Sequence, residues 1–191
     1  MQREGRASWT DDRLVTACRK GDQQAWSALI DKYKNLIFSI PIKLGLYEDA
    51  ADIFQAVCLD LLTDLPRLRE PRALPKWLMQ TCYHKCLQSR RRTEKHVPFA
   101  EEDDRTPADI GTQSPLPDDM LVQLEKEQMV RNAISELSPR CEQMIRMLFF
   151  ETPARPYEDV AKELGLATGS IGFIRGRCLG KLKQQLENKG F

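Results

Sequence analysis

Hydrophobic residues recur at three- and four-residue spacing along most of the chain, which is the period of an amphipathic helix. The longest run spans residues 22–40, and its apolar positions are Trp26, Leu29, Ile30, Tyr33, Ile37 and Ile40. Apolar stripes of the same period predict further helices at residues 10–20, 48–65, 76–92, 120–137 and 139–150. No stretch of useful length alternates polar and apolar residues as a strand does. The pattern therefore predicts an all-α protein.

Capping and helix-breaking residues mark the ends of these helices. Asp22 follows Gly21 and is a suitable N-cap for the second helix, and Pro41 should kink or end that helix nearby. Ser138 followed by Pro139 is the usual start of a helix. Residues 66–75 hold three prolines and three arginines, so a stiff basic loop is expected there rather than a helix.

The last part of the chain predicts two helices joined by a tight turn. Val160, Ala161 and Leu164 form a short apolar face, and Gly165 ends that helix. The second helix is expected to begin near Thr168 as its N-cap, with a core stripe at Ile171, Cys178, Leu182 and Leu186. A short helix, a glycine turn and a longer basic helix are typical of a helix-turn-helix that binds the DNA major groove.

Glycines interrupt the outer side of this second helix at 169, 172, 176 and 180. Each glycine within a helix costs about 1 kcal/mol relative to alanine. Either they let DNA or a partner approach the backbone closely, or the helix is marginal and depends on its core stripe. The sequence favours neither interpretation. Arg175 falls near the core side, where we expect it to snorkel or pair with Glu158 or Asp159.

The total charge of +1 hides an uneven distribution. Residues 101–119 carry a net −6, which leaves +7 on the rest, and residues 66–98 hold nine basic side chains against two acids. The acidic segment is rich in proline and poor in apolar residues, as linkers are. We therefore predict an N-terminal helical domain at 1–97, a flexible acidic linker at 98–119 and a C-terminal helix-turn-helix domain at 120–191.

The remaining composition narrows the class of protein. No apolar run approaches a membrane span and no signal peptide is recognisable, so we expect a cytoplasmic protein with no membrane insertion. The six cysteines are then expected to be reduced thiols. Cys82, His84 and Cys86 resemble metal ligands, but His84 points away from the other two on a helix, so we predict no metal and no cofactor.

Taken together, these segments resemble a bacterial sigma factor of the extracytoplasmic-function (ECF) group, part of the sigma-70 family, over nearly the whole chain. Residues 49–57, DAADIFQAV, resemble the acidic helix that docks on the clamp helices of RNA polymerase. Trp77-Leu78 followed by Arg90-Arg91-Arg92 resembles the helix that opens and reads the minus-10 promoter element. Residues 137–182 resemble the domain that reads the minus-35 element.

The resemblance implies three sets of contact residues. Core polymerase would be bound by Asp49, Asp52, Ile53, Gln55 and Ala56. The minus-10 element would be bound by Arg67, Arg69, Arg72, Lys76, Trp77, Gln80, His84, Lys85, Gln88, Arg90, Arg91 and Arg92. The minus-35 element would be bound by Arg140, Thr168, Ser170, Gly172, Phe173, Gly176, Arg177 and Lys181.

The implied partners are core RNA polymerase and promoter DNA, with an anti-sigma factor as a further candidate. The loop at 66–75 would hold a base flipped from the non-template strand. The acidic linker would thread the positively charged channel of polymerase. The sequence departs from the family at Ala56, where a glutamate is usual, and at His84, where asparagine is common.

Two other function classes are compatible with the same residues. A stand-alone helix-turn-helix regulator with a helical sensor or dimerisation domain would bind DNA tightly without polymerase. An enzyme is disfavoured, because the chain has only two histidines, no nucleophile motif and no evident pair of catalytic carboxylates.

Overall fold

The computed structural model describes residues 9–95 and 115–191. Every regular element in these two stretches is helical, which confirms the all-α prediction. The α-helices are α1 (Asp11–Arg19), α2 (Gln23–Lys43), α3 (Ala50–Asp64), α4 (Leu74–Lys95), α5 (Asp118–Ser135), α6 (Pro139–Phe149), α7 (Tyr157–Leu164) and α8 (Ile171–Asn188). Residues 1–8 and most of the predicted acidic linker lie outside the described residues.

The predicted helix ends agree closely with these bounds. The Asp22 carboxylate accepts hydrogen bonds from the backbone N–H groups of Gln24 and Ala25, at 2.9 and 3.1 Å. Pro41 lies within α2, which ends two residues later, and Pro139 takes the first position of α6. The stretch expected to be a plain loop instead contains 3-10 turns at Leu65–Arg67 and Pro71–Ala73, because prolines already hold the backbone angles of such turns.

The chain divides into two compact units, Met1–Glu125 and Lys126–Phe191. Helices α1 to α4 enclose the core of the first unit, and Leu116 and Leu124 are buried in the same cluster. The first turns of α5 therefore belong with the first unit, whereas Ala133 and Ile134 belong to the core of the second. The predicted domain boundaries at 97 and 119 stay a prediction.

A partly buried polar cluster connects α1 to α2 in the first unit. The Asp11 carboxylate accepts hydrogen bonds from Lys32 Nζ and from the Tyr33 hydroxyl, both at 2.8 Å. Burial, followed by the charge of Asp11 and its hydrogen bond, raises the pKa of Tyr33 well above its usual range. The phenol therefore remains a hydrogen-bond donor at any physiological pH.

We expect Asp11→Ala to lower the free energy of unfolding of the first unit by about 2 kcal/mol, since the buried Tyr33 phenol loses its acceptor and the Lys32 ammonium loses its carboxylate partner. Asp12→Ala is the matched control, because Asp12 is exposed and its ion pair with Arg72 is long, at 3.9 Å. Urea unfolding followed by tryptophan fluorescence measures both variants. Equal stabilities for the two would contradict the structural role of Asp11.

The second unit contains a disulfide between Cys141 of α6 and Cys178 of α8. This corrects the expectation that all cysteines are reduced thiols. The two residues lie 37 positions apart in sequence, but the packing of α6 against α8 brings their Cα atoms to 5.4 Å, within the range that a disulfide bridges. Both are buried among Ala133, Ile145 and Leu182. Cys18, Cys58, Cys82 and Cys86 are free thiols.

Within the described residues, no helix combines the length and the apolar character needed to cross a bilayer.

Candidate functional site

The basic residues expected at a minus-10 element lie on α4 and on the two 3-10 turns before it. Arg67, Arg69, Arg72, Lys76, Arg90 and Arg92 are exposed, and Arg91 is half-buried. Arg19 of α1 donates to the carbonyl oxygens of Leu65 and Leu68, so α1 holds the first of these turns in place. The arrangement presents several cations on one continuous segment, as phosphate binding requires.

Several polar residues of this surface already have partners within the first unit. Lys85 forms an ion pair with Asp60 at 2.8 Å, and the Arg90 guanidinium donates to the Leu44 carbonyl. Gln80 and His84 contact each other through their side-chain nitrogens at 2.7 Å, and Gln80 Oε1 accepts a hydrogen bond from Leu116 N–H. Lys85 and Arg90 therefore contribute to packing of the first unit as well as to its charge.

Trp77 is half-buried and packs against the core of the first unit. One side of the indole thus supports the fold, while the rest is accessible at the start of α4. Lys76, Gln80, His84 and Gln88 follow each other at four-residue spacing and share one face of α4. This face combines donors, a cation and a nearby aromatic, a combination that suits unpaired nucleotides.

The residues expected to bind core polymerase lie on α3 but differ in accessibility. Asp52 and Gln55 are exposed and Ala56 is half-buried, whereas Ile53 is 4% exposed and belongs to the core. Asp49 accepts a hydrogen bond from the Ser89 hydroxyl at 2.7 Å, which connects the start of α3 to α4. Ile53 therefore supports this surface from beneath and is not part of it.

The same face of α3 continues into two exposed leucines that the sequence interpretation missed. Leu59 is 65% exposed and Leu62 is 53% exposed. From Asp52, the positions of Gln55, Leu59 and Leu62 follow at successive spacings of three, four and three residues. The four side chains therefore form one stripe, which we call the α3 outer stripe. The sequence contains the signal that could have identified the two leucines. Continued past Gln55, the same helical spacing reaches Leu59 and Leu62 on the side of α3 opposite Val57 and Leu61.

An apolar groove lies beside the α3 outer stripe, between α2 and α3. Its volume is about 440 Å³, and its lining residues are Trp26, Ser27, Ile30, Asp31, Cys58 and Leu62. Trp26 and Ile30 are only partly buried, although the sequence pattern placed them with the helix core. Grooves of this size and character accommodate an apolar side chain of a partner.

Helices α7 and α8 meet as the sequence predicted, through a turn at Gly165. Gly165 has φ +62°, a left-handed conformation that glycine adopts without strain, and Leu166 N–H bonds to the Ala161 carbonyl at 2.8 Å. Val160, Ala161 and Ile171 are buried together. A 3-10 turn at Thr168–Ser170 precedes α8.

The start of α8 and the role of Arg175 differ from expectation. Thr168 lies in the 3-10 turn and is not the N-cap of α8, which begins at Ile171. Arg175 does not pair with Glu158 or Asp159; its guanidinium donates to the Tyr157 hydroxyl and lies 5.8 Å from that ring.

Most residues proposed to read the minus-35 element are exposed. Phe173 is 71% exposed, and the Arg177 guanidinium carbon lies 5.9 Å from the centre of its ring. Arg140 and Lys181 are exposed, at the start of α6 and in the middle of α8. The Ser170 hydroxyl donates to the Ala167 carbonyl at 2.7 Å, so it stabilises the turn before α8.

The free thiols differ in acidity: the pKa values of Cys18 and Cys58 are raised, whereas a hydrogen bond with Cys82 lowers the pKa of Cys86. Burial raises the pKa of Cys18 to about 11 and raises the pKa of Cys58, so both stay protonated near neutral pH. Cys82 and Cys86 are buried on one face of α4, whereas His84 faces Gln80. Within residues 9–95 and 115–191, no group of three or more potential ligands could hold a metal ion.

The chain is similar to curated bacterial proteins over almost its full length. It is 25% identical over 195 residues to the RNA polymerase sigma-H factor of Bacillus subtilis, which covers 93% of this chain and 88% of that protein. It is 22% identical over 185 residues to the ECF RNA polymerase sigma-E factor of Escherichia coli, which covers 94% of each. No protein-family model matches the chain.

Proposed function

We infer that this chain belongs to the sigma-70 family of RNA polymerase sigma factors: it binds core RNA polymerase and directs promoter-specific transcription initiation. The observation that carries this conclusion is similarity to sigma factors along 93–94% of the chain, covering both helical units and not one of them alone. A regulator that shared only the DNA-binding end of a sigma factor would match over the second unit only.

We assign the chain more finely to the ECF group. The relatives from Escherichia coli and Salmonella typhimurium carry that name, and their lengths match this chain at 94% coverage. The presence of two small helical units, with an acidic segment at residues 101–119 ahead of the second, supports this assignment. A sigma factor acts by binding and is not itself a catalyst, so the chemistry of RNA synthesis belongs to the polymerase.

The α3 outer stripe and the adjoining groove are the proposed surface for core polymerase. Asp52 and Gln55 supply the polar contacts, and Leu59 and Leu62 supply apolar anchors beside them. Interfaces draw most of their affinity from a few such anchors surrounded by polar residues. An anti-sigma factor, as a further proposed partner, would compete most directly by covering this same surface.

The proposed minus-10 surface is α4 with the turns before it. Arg67, Arg69 and Arg72 would surround a flipped base, and Trp77 would lie near the point of strand separation. Flipping a base costs a few kcal/mol, which contacts in the pocket must offset. Because Gln80 and His84 are already bonded within the unit, Lys76, Gln88, Arg91 and Arg92 are the better candidates for direct contact.

The proposed minus-35 surface is the outer side of α8 with Arg140 of α6. Helix α8 carries four basic residues and one acid, so its charge suits the phosphates that flank the major groove. A protein that works on polymerase and promoter DNA in a bacterium works in the cytoplasm, which is the location we propose. The acidic linker would lie in the channel of polymerase between the two DNA contacts.

The test is transcription in vitro with purified core polymerase from the source bacterium and its genomic DNA, with and without this protein. We expect promoter-specific transcripts only when the protein is added. Binding of the free protein to duplex DNA, with neither transcripts nor co-migration with core polymerase, would instead establish the stand-alone regulator.

We expect Arg91→Ala and Arg92→Ala each to weaken promoter binding by the holoenzyme and to reduce the slope of log affinity against log salt by about 1. A residue that neutralises a phosphate releases a counterion, and its removal cancels that release. Lys34→Ala is the matched control, since Lys34 is exposed on α2 and paired with Asp31 at 3.0 Å. Filter binding across a salt series measures the slopes; an unchanged slope for both arginine variants would remove them from the DNA contact.

A further inference from the structure

The outer side of α8 is bare except for a few projecting side chains. A Cβ atom built at Gly169, Gly172, Gly176 or Gly180 would have no neighbour within 4 Å. Packing inside the protein therefore does not explain why these positions lack side chains. Between them, Phe173 projects with 71% of its surface exposed, one turn before Arg177.

Phe173 and Arg177 are arranged as a pair. The guanidinium carbon of Arg177 lies 5.9 Å from the centre of the Phe173 ring, within the range of a cation–π contact. This contact restricts the long arginine side chain, so that less conformational freedom is lost when its donors bind a ligand. The pair presents one flat apolar surface and one fork of donors to the same side of the helix.

These two chemistries match different base edges in the major groove. The only methyl group displayed there by an unmodified base pair is the 5-methyl of thymine, and a phenyl ring packs well against it. An arginine fork matches the O6 and N7 acceptors of guanine. No other pair of bases offers an apolar group and a double acceptor to these two residues.

The spacing places the two bases close together. Residues four apart on a helix differ by about 6 Å in rise. Successive bases on a strand are about 3.4 Å apart, so two steps cover nearly the same distance. Because the Arg177 side chain is directed toward Phe173, the guanidinium and the phenyl ring are closer together than this rise.

We propose that Phe173 and Arg177 determine the minus-35 sequence of this sigma factor, with Phe173 packing on a thymine methyl and Arg177 binding a guanine one or two base pairs away. The proposal rests on the function inferred above and adds to it the base composition that the second unit selects. Glycines at neighbouring positions leave room for the DNA backbone and base edges to approach α8.

The first experiment is selection of duplexes from a randomised library by the reconstituted holoenzyme. We expect wild-type protein to enrich a thymine with a guanine at one or two base pairs. Phe173→Ala should lose preference at the thymine alone, and Arg177→Ala at the guanine alone, by about tenfold or more. Phe150→Ala, which removes another exposed phenylalanine of the same unit, should leave the selected sequence unchanged.

The second experiment replaces the selected thymine by deoxyuridine, which removes only the 5-methyl group. Wild-type holoenzyme should lose roughly fourfold in affinity, the contribution of one buried methyl, whereas Phe173→Ala should not distinguish the two duplexes. Equal affinities of wild-type holoenzyme for the two duplexes would overturn the role of Phe173.

The outcomes separate this proposal from the function on which it rests. Enrichment of one motif by wild-type protein and both variants alike would overturn the proposal and leave the sigma function intact. Failure of the wild-type holoenzyme to enrich any motif would overturn both.

Discussion

Reduction of the Cys141–Cys178 disulfide is expected to lower the free energy of unfolding of the second unit by about 4 kcal/mol. The bond closes a loop of 37 residues that contains α7, the Gly165 turn and the first part of α8. Opening this loop restores conformations to the unfolded chain that the bond had removed. The resulting loss of stability grows slowly with loop length. Both sulfurs are buried, so reduction also leaves two thiols within the core between α6 and α8.

The distribution of tryptophans provides an internal control for this measurement. Trp9, Trp26 and Trp77 all lie in the first unit, so their fluorescence reports that unit alone. Hydrogen exchange of peptides from α6 and α8, with and without a reducing agent, reports the second unit. We expect protection in α6 and α8 to fall by two to three orders of magnitude, about 1.4 kcal/mol per tenfold, while the tryptophan transition in urea stays in place.

Variants then assign the effect to one bond. A Cys141→Ser, Cys178→Ser double variant should show the low protection of the reduced protein and no response to a reducing agent. Cys58→Ser, which removes a free thiol of the first unit, should respond as the wild-type protein does. Equal protection of wild-type α6 and α8 under oxidising and reducing conditions would contradict the stabilising role of the disulfide.

Local features of the sequence were sufficient for most of the fold. Asp22 caps α2, Pro139 begins α6 and Gly165 ends α7, because each of these preferences depends on a few adjacent backbone groups. The burial of Ile171, Cys178 and Leu182 follows from helical spacing for the same reason. Such features need no knowledge of which helices pack together.

The disulfide could not be predicted, because it depends on packing between helices that are distant in sequence. Nothing near Cys141 or Cys178 distinguishes them from the four free cysteines until α6 lies against α8. Arg175 shows the same limit on a smaller scale. Spacing placed it near the acids at the start of α7, whereas the folded turn brings the Tyr157 hydroxyl and ring to it instead.

The candidate surfaces were predicted only in part, and the missing part is apolar. Sequence reasoning selected the charged and amide residues of α3, because these resemble a docking motif. It assigned no contact to Leu59 and Leu62 of the same helix, which are exposed. An exposed leucine is recognised only when the buried side of its helix is known.

Replacing both exposed leucines is expected to abolish most of the affinity for core polymerase. Leu59→Ala with Leu62→Ala should weaken binding at least about 30-fold, corresponding to about 2 kcal/mol for the loss of a central apolar anchor. The fold should be little affected, since 65% and 53% of these two side chains are already exposed to solvent. A titration of core polymerase into fluorescently labelled protein measures the dissociation constant directly.

Val122→Ala is the matched control, because Val122 is a similarly exposed apolar residue on a different helix, α5. It should leave the dissociation constant within twofold of the wild-type value. Asp52→Ala should lose less affinity than the leucine double variant. That loss should be largest at low salt, since an exposed charge acts mainly through long-range attraction that salt screens.

If the leucine double variant bound core polymerase as tightly as the wild-type protein, the α3 outer stripe would not be the docking surface, even though the sigma function could still hold. If wild-type protein itself failed to bind, the conclusion drawn from its relatives would fail with it.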